Sequence, residues 1–272
     1  MWRNRCMKRS YLVMIVMAAL LITACSTVPI TGRKQLSLIP QSEMLSMSYQ
    51  QYDEFLKSNQ LSTDQEKTAM VKRVGGRIQK AVETYFAQNN LSGYLRDFRW
   101  EFNLVESEEV NAWCMPGGKV VVYTGLLPVA QNEAGLAVVM GHEIAHAIAE
   151  HGNERMSQQL VAQMGGMALS AALQNKPEKT QALWMTAFGV GAQVGVLLPY
   201  SRTQESEADE LGLIFMAMAG YNPNEAVNFW QRMSAGKGAS VPEILSTHPS
   251  DQTRINNLKK LVPEAMKYYQ KQ

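Results

Sequence analysis

The stretch that decides the fold is Ala134-Gly-Leu-Ala-Val-Val-Met-Gly-His142-Glu143-Ile-Ala-His146-Ala-Ile-Ala149. It is apolar, free of proline and long enough for a helix. Residues four apart on a helix share a face, so His142 and His146 can offer two imidazole nitrogens to one ion. Zinc suits such a pair, being borderline-soft and tetrahedral with a position left open for water. Glu143 lies one residue round from His142, within reach of a water polarised by the zinc without being a ligand. It therefore reads as the general base, taking a proton from that water and passing it to the leaving amine. Two unrelated surface histidines would not be embedded among Val138, Val139, Met140, Ile144 and Ile148.

The third ligand sets the class. A metzincin has a glycine three residues after the second histidine and a histidine six after it; here those positions hold Ala149 and Gly152. His151 would lie about 900° round a continuous helix from His142, at roughly 100° per residue, and so faces away from the metal. A downstream glutamate, as in gluzincins, is the alternative. The stretch from Ser201 to Gly212 offers Glu205, Glu207, Asp209 and Glu210. Glu205 and Asp209 are one turn apart, so one can bind zinc while the other orients a histidine. Spacing alone does not choose between Glu205 and Glu207.

Working outward, the chain has 272 residues, 46% hydrophobic and 18% charged, which suits a sizeable core rather than disorder. A net charge of +2 argues against a nucleic-acid binder. Residues 1–25 read as a targeting segment, with Arg3, Arg5, Lys8 and Arg9 ahead of an apolar run from Tyr11 to Ile22. Ile22-Thr23-Ala24-Cys25 resembles a bacterial lipobox. That implies a signal peptide and a lipidated Cys25, anchoring the chain by its lipid on the periplasmic side of the cell envelope; Ser26 favours the outer membrane. Cys114 then has no cysteine partner and reads as a buried thiol. Residues 26–41 read as a tether or docking arm, and residues 42–272 as the catalytic domain, with no second domain.

Periodicity predicts helices over 42–58 and 64–89, the second with a Thr63/Glu66 capping box, and a strand over 98–105. A hairpin is expected from Val110–Met115 and Lys119–Thr124 around Pro116-Gly117-Gly118. One long helix should run from about Asn132 to Met164. Helices over 205–220 and 224–233 and a final amphipathic one over 249–269 follow. Segment 165–199 reads as a helical lid or hairpin beside the site, its apolar stretch 182–198 being weak as a membrane span.

HExxH followed some sixty residues later by Glu-x-x-x-Asp resembles metallopeptidase family 48, which holds the CAAX prenyl proteases, HtpX and the mitochondrial OMA-type peptidases. Within it the similarity is to the soluble periplasmic branch that includes BepA and LoiP. Asn111-Ala112, Tyr123-Thr124-Gly125-Leu126, Glu154-Arg155-Met156 and Ser246-Thr247-His248-Pro249 belong to the same resemblance. It implies a zinc ligand at Glu205, with Asp209 behind the ligands. It also implies that His248 can take the open zinc position and hold the enzyme latent. Arg254 and Asp251 could hold that loop, or stand as solvated charges at a helix start. The hairpin strand Asn111, Ala112, Trp113 and Cys114 is the candidate edge for an extended substrate. Tyr200 or Arg202 is the candidate oxyanion stabiliser.

The fold expected is α+β: a mainly helical zincin-type (gluzincin) metallopeptidase domain with a small β-sheet or hairpin beside the HExxH helix. The function expected is zinc endopeptidase activity, with one Zn2+ per chain, on misfolded or misassembled envelope proteins. The rival is a latent, chaperone-like outer-membrane assembly factor capped by His248, with the assembly machinery as partner.

Overall fold

The computed structural model describes residues 25–193, 197–235, 244, 248 and 252–270, apart from the side chains of 198–200. The targeting segment therefore lies outside the described residues, except Cys25, which is exposed at the start of strand β1. Strand β1 (Cys25–Thr27) pairs antiparallel with β2 (Lys34–Leu36). The arm that these two strands form is docked. Val28 is fully buried, the Leu38 backbone N–H donates to Ser157 Oγ at 2.9 Å, and Asn153 Nδ2 donates to Ile39 O at 2.8 Å.

Helices α1 (Gln41–Ser58) and α2 (Gln65–Gln88) follow. The cap of α2 is Asp64, whose side chain accepts from Lys67 N, in place of the expected Thr63. A three-stranded sheet comes next, formed by β3 (Glu101–Val105), β4 (Ala112–Met115) and β5 (Lys119–Tyr123) in the order β3-β5-β4. β5 runs parallel to β3 and antiparallel to β4. Gly117 and Gly118 turn the hairpin with φ of 85° and 83°, a region that costs glycine nothing. β5 is buried on both faces: Val121 packs with Tyr52 of α1, and Val120 and Val122 enter the main core. β4 is an edge strand, and among the described residues no other strand pairs with its free side.

After the short α3 (Leu127–Ala130) comes α4 (Glu133–Ile148), the HExxH helix, capped by Asn132 and buried almost along its whole length. It lies between the sheet and α7 (Leu198–Met218) at the centre of the core. The single long helix expected from Asn132 to Met164 is broken. Glu150 takes the left-handed conformation at φ 57°, and α5 (His151–Leu173) sets off in a new direction. The Tyr94 hydroxyl bridges the break, donating to Ile148 O at 2.7 Å. Helices α5 and α6 (Glu178–Ala192) form the helical hairpin expected over 165–199, with Met164, Met167, Leu183 and Trp184 exposed. No helix among the described residues is long and apolar enough to cross a membrane. Helix α8 (Glu225–Ala235) packs on α4, and α9 (Gln252–Ala265) packs on both α7 and α8.

Helices α4 and α7 cross at two glycines. A Cβ on Gly212 would stand 2.9 Å from His142 N, and one on Gly141 would stand 3.0 Å from Gly212 O. Backbone on both sides leaves no room to yield. Gly212→Ala should therefore cost about 1–3 kcal/mol, lowering Tm by roughly 3–10 °C. Gly76→Ala in α2, where a Cβ meets nothing within 4 Å, should instead raise stability by up to about 1 kcal/mol. Thermal melts of the two variants check the contrast.

Candidate metal centre

The helical spacing places His142 and His146 on one face of α4, with Nε2 atoms 3.1 Å apart. α7 brings Glu205 against them: Oε2 is 3.4 Å from His142 Nε2 and Oε1 is 3.3 Å from His146 Nε2. His248 completes the group, its Nδ1 2.8 Å from Glu205 Oε1 and 3.2 Å from His142 Nε2. The ligand atoms of His142, His146, Glu205 and His248 all lie within 4.8 Å of one another. Three imidazoles and one carboxylate are a donor set that zinc accepts. Two buried carboxylate oxygens of the cluster, Glu143 Oε1 and Glu205 Oε2, have no hydrogen-bond partner among the described residues. Each meets a nitrogen only at ion-pair distance, Arg254 Nη1 at 3.3 Å from Glu205 Oε2 and His248 Nε2 at 3.4 Å from Glu143 Oε1, and the converging donor set fits a metal.

Glu143 sits at the rim of this group, with Oε1 3.4 Å from His248 Nε2. Cys114 on the edge strand β4 lies close enough for the Glu143 charge to act on it; burial, and then that charge, push the thiol well above its usual range. The cysteine is half-buried. Strand β4 thus runs alongside the HExxH helix.

Behind the cluster stands a residue whose weight the sequence did not convey. Arg254, read as loop support or a solvated charge, is buried on the inner face of α9. Its guanidinium grips Asp209 with two bonds, Nη2 to Oδ1 at 2.6 Å and Nε to Oδ2 at 2.9 Å, and lies 3.7 Å above the Trp230 ring. Asp209 Oδ1 in turn meets His142 Nδ1 at 3.0 Å, which points Nε2 of that ring into the cluster. The available signal was a cation at a position of the apolar stripe that continues through Leu258 and Val262. Arg202, one of the two oxyanion candidates, is exposed and outside the cluster, and the side chain of Tyr200 lies outside the described residues.

His151 corrects the sequence reading most sharply. It is 1% exposed and its Nδ1 lies 2.8 Å from His146 Nδ1, directly behind the metal-facing ring. Helical phase does not carry through to His151, because α4 ends at Ile148 and Glu150 turns left-handed. Glu207, the alternative ligand, belongs to this layer too, with Oε2 2.9 Å from His151 Nε2 and 2.7 Å from Arg33 Nε.

The charges follow from these contacts. Burial opposes ionisation of Glu205, yet His142, His146 and His248 hold its carboxyl far below the usual range. Burial and then the charge of Arg254 disfavour the protonated ring of His142, but Asp209 and Glu205 override both and push its pKa up to about 9. Burial holds His146 well below its ordinary value, and lowers His151 as well. Burial raises and the His151, Thr31 and Arg33 contacts more than reverse the shift at Glu207, which falls to about 2. A ring whose pKa is raised on folding stabilises the fold fully below its unfolded value, near 6.5. That contribution fades as pH rises through about 9. In zinc-free protein, the Tm gap between the parent and Asp209→Asn should be widest below pH 6.5 and narrow through pH 9.

Residues 72–262 match Peptidase family M48. The chain is 32% identical over 243 residues to the mitochondrial metalloendopeptidase OMA1 of Schizosaccharomyces pombe, covering 88% of this chain and 66% of that one. It is 30% identical to the mitochondrial metalloendopeptidase OMA1 of Homo sapiens, covering 88% of this chain and 46% of the human protein. The beta-barrel assembly-enhancing protease of Escherichia coli is 30% identical over 165 residues, or 57% of this chain and 33% of that one. The chain thus spans between one third and two thirds of the length of these relatives. Strong similarity to proteins named as mitochondrial overturns the expectation of a lipid-anchored chain in the periplasm at the outer membrane. The lipobox-like tetrapeptide was too short a signal to carry that conclusion. The HExxH helix, the downstream glutamate and the family match agree: the chain belongs to peptidase family M48, whose metallopeptidases use zinc.

Proposed function

We propose that the chain is a zinc-dependent endopeptidase that cleaves unfolded or misassembled proteins presented as extended segments. The observation that carries this reading is the buried group of His142, His146, Glu205 and His248, whose ligand atoms fall within 4.8 Å of one another beside Glu143. Names of relatives as far apart as fission yeast and man point to the same class of reaction. When bound, zinc supplies a Lewis acid that polarises the scissile carbonyl. His142, His146 and Glu205 would hold it, while Asp209, itself held by Arg254, orients His142. Glu143 takes the proton of the attacking water and returns it to the departing amine. Substrate backbone pairs with the free side of β4, whose residues Ala112, Trp113 and Cys114 set the register. Strand addition reads backbone rather than side chains, which suits a broad taste for unfolded segments.

A second reading rests on His248. Its ring stands between Glu205 and Glu143, 2.8 Å from the first and 3.4 Å from the second, where substrate and water would have to enter. In this reading His248 is a cap, and its ring must leave the cluster before hydrolysis. The extreme form of it is a chain that acts by binding its clients and not by cutting them.

Casein hydrolysis by purified, zinc-loaded protein separates these readings. Glu143→Gln should lose about 10^2–10^4-fold in rate while keeping its zinc. His248→Ala should cleave at least as fast as the parent, and faster by an order of magnitude or more if the ring is a cap. Zinc-loaded protein that cleaves neither as parent nor as His248→Ala would sink the endopeptidase reading and leave the binding one.

A further inference from the structure

The mechanism above uses one ring nitrogen of His146 and leaves the other unexplained. Nε2 of His146 faces the cluster, and Nδ1 meets Nδ1 of His151 at 2.8 Å. Nε2 of His151 meets Glu207 Oε2 at 2.9 Å. Glu207 is held by the N-terminal arm: Arg33 Nε donates to Oε2 at 2.7 Å and the Thr31 hydroxyl donates to Oε1. Arg33 is itself fixed by two parallel bonds to Glu154, both 2.8 Å, and Glu154 also accepts from Gln204. His151, Glu207 and Glu154 are buried, at 1%, 6% and 0% exposure.

The order of these bonds settles where the protons sit. A carboxylate can only accept, and a neutral imidazole has one donor and one acceptor. Glu207 therefore requires the proton of His151 on Nε2. Nδ1 of His151 is then an acceptor, so the proton of His146 sits on Nδ1. The lone pair of His146 is left on Nε2, the nitrogen that faces the cluster. Reversing any one bond would place a proton where the ion has to bind.

We propose that His151, Glu207 and Arg33 are positioning residues of the metal centre, forming a hydrogen-bonded relay that fixes the tautomer and orientation of His146 and makes the docked N-terminal arm part of the zinc site. The inference rests on the zinc-site reading above and adds residues that neither ligate nor touch substrate. His142 is oriented by a carboxylate and an arginine contributed by α7 and α9; His146 is oriented by a carboxylate on α7 and an arginine on the arm, with His151 interposed. Partners behind a ligand typically contribute 10–100-fold to metal affinity.

The test uses the full chain. Zinc affinity is read by chelator competition, and the ring tautomers by long-range 1H–15N correlations, for the parent, His151→Phe, His151→Gln and Glu207→Ala. His151→Phe keeps a ring and removes the acceptor; it should weaken zinc binding about 10–100-fold and release His146 into a mixture of tautomers. Glu207→Ala leaves both rings in place and should move both readouts the same way, which covers the case of a Phe variant that does not fold. His151→Gln can accept from His146 and donate to Glu207 through its amide, and should restore most of the affinity and a single Nδ1–H tautomer. A residue that only glued the arm down would not move the His146 tautomer. Zinc affinity and tautomer both unchanged in His151→Phe and Glu207→Ala would overturn the relay. A parent that binds no zinc would overturn the metal-centre reading itself, and the relay with it.

Discussion

At the crossing of α4 and α7, Gly141 and Gly212 let backbone meet backbone at close distance. Everything at the site depends on that distance. α4 carries the two histidines and Glu143, while α7 carries Glu205, Glu207 and Asp209. A crossing wider by one methyl group would part the histidines from the carboxylates that complete and orient them. The rest of the fold is arranged to hold it. The sheet supports α4 from the side opposite α7, α9 reaches over α7 to place Arg254, and the arm packs behind Glu207. Burial of α4 on nearly all faces makes the histidines rigid, because a side chain in a close-packed interior has no alternative rotamer to visit.

Rigid burial creates an electrostatic problem that identifies what the site is for. Glu143, Glu205 and Asp209 are all buried within one cluster, and Arg254 is the permanent cation set among them. Buried carboxylates without compensation are expensive. In the chain by itself the shortfall draws a proton onto His142, whose pKa is raised to about 9. A divalent ion held by the imidazoles and Glu205 would remove the need for that proton. The site asks for positive charge at the point where three imidazole nitrogens converge, which is a description of a zinc centre. Glu207 is balanced separately by Arg33, which leaves it outside the ligand set although it lies two residues from Glu205.

Much of this was legible in the residues themselves. The pairing of His142 with His146 could be read because helical geometry translates a spacing of four into a shared face. The hairpin could be read because Pro116-Gly117-Gly118 punctuates two apolar runs. Spacing did not choose between Glu205 and Glu207; in three dimensions Glu205 stands against His142 and His146 while Glu207 pairs with Arg33 of the arm. The break at Glu150 was not legible, because neither glycine nor proline marks it and the left-handed residue is held by Tyr94, more than fifty positions away. His151 was misplaced for that reason alone. Arg254 was undervalued because a charge at a helix start is usually solvated, and only packing against Trp230 and Asp209 shows that this one is not. Cellular location was the error of a different kind, where a four-residue pattern outweighed a chain-length similarity not visible in any single motif.

The most direct test of this account is X-ray absorption at the zinc edge on the purified full chain loaded with zinc. The structure predicts one zinc per chain, surrounded only by nitrogen and oxygen at about 2.0–2.2 Å, with the outer-shell scattering of imidazole rings. Sulfur in the first shell near 2.3 Å, which would have to come from cysteine, or a chain that retains no zinc at all, would contradict it.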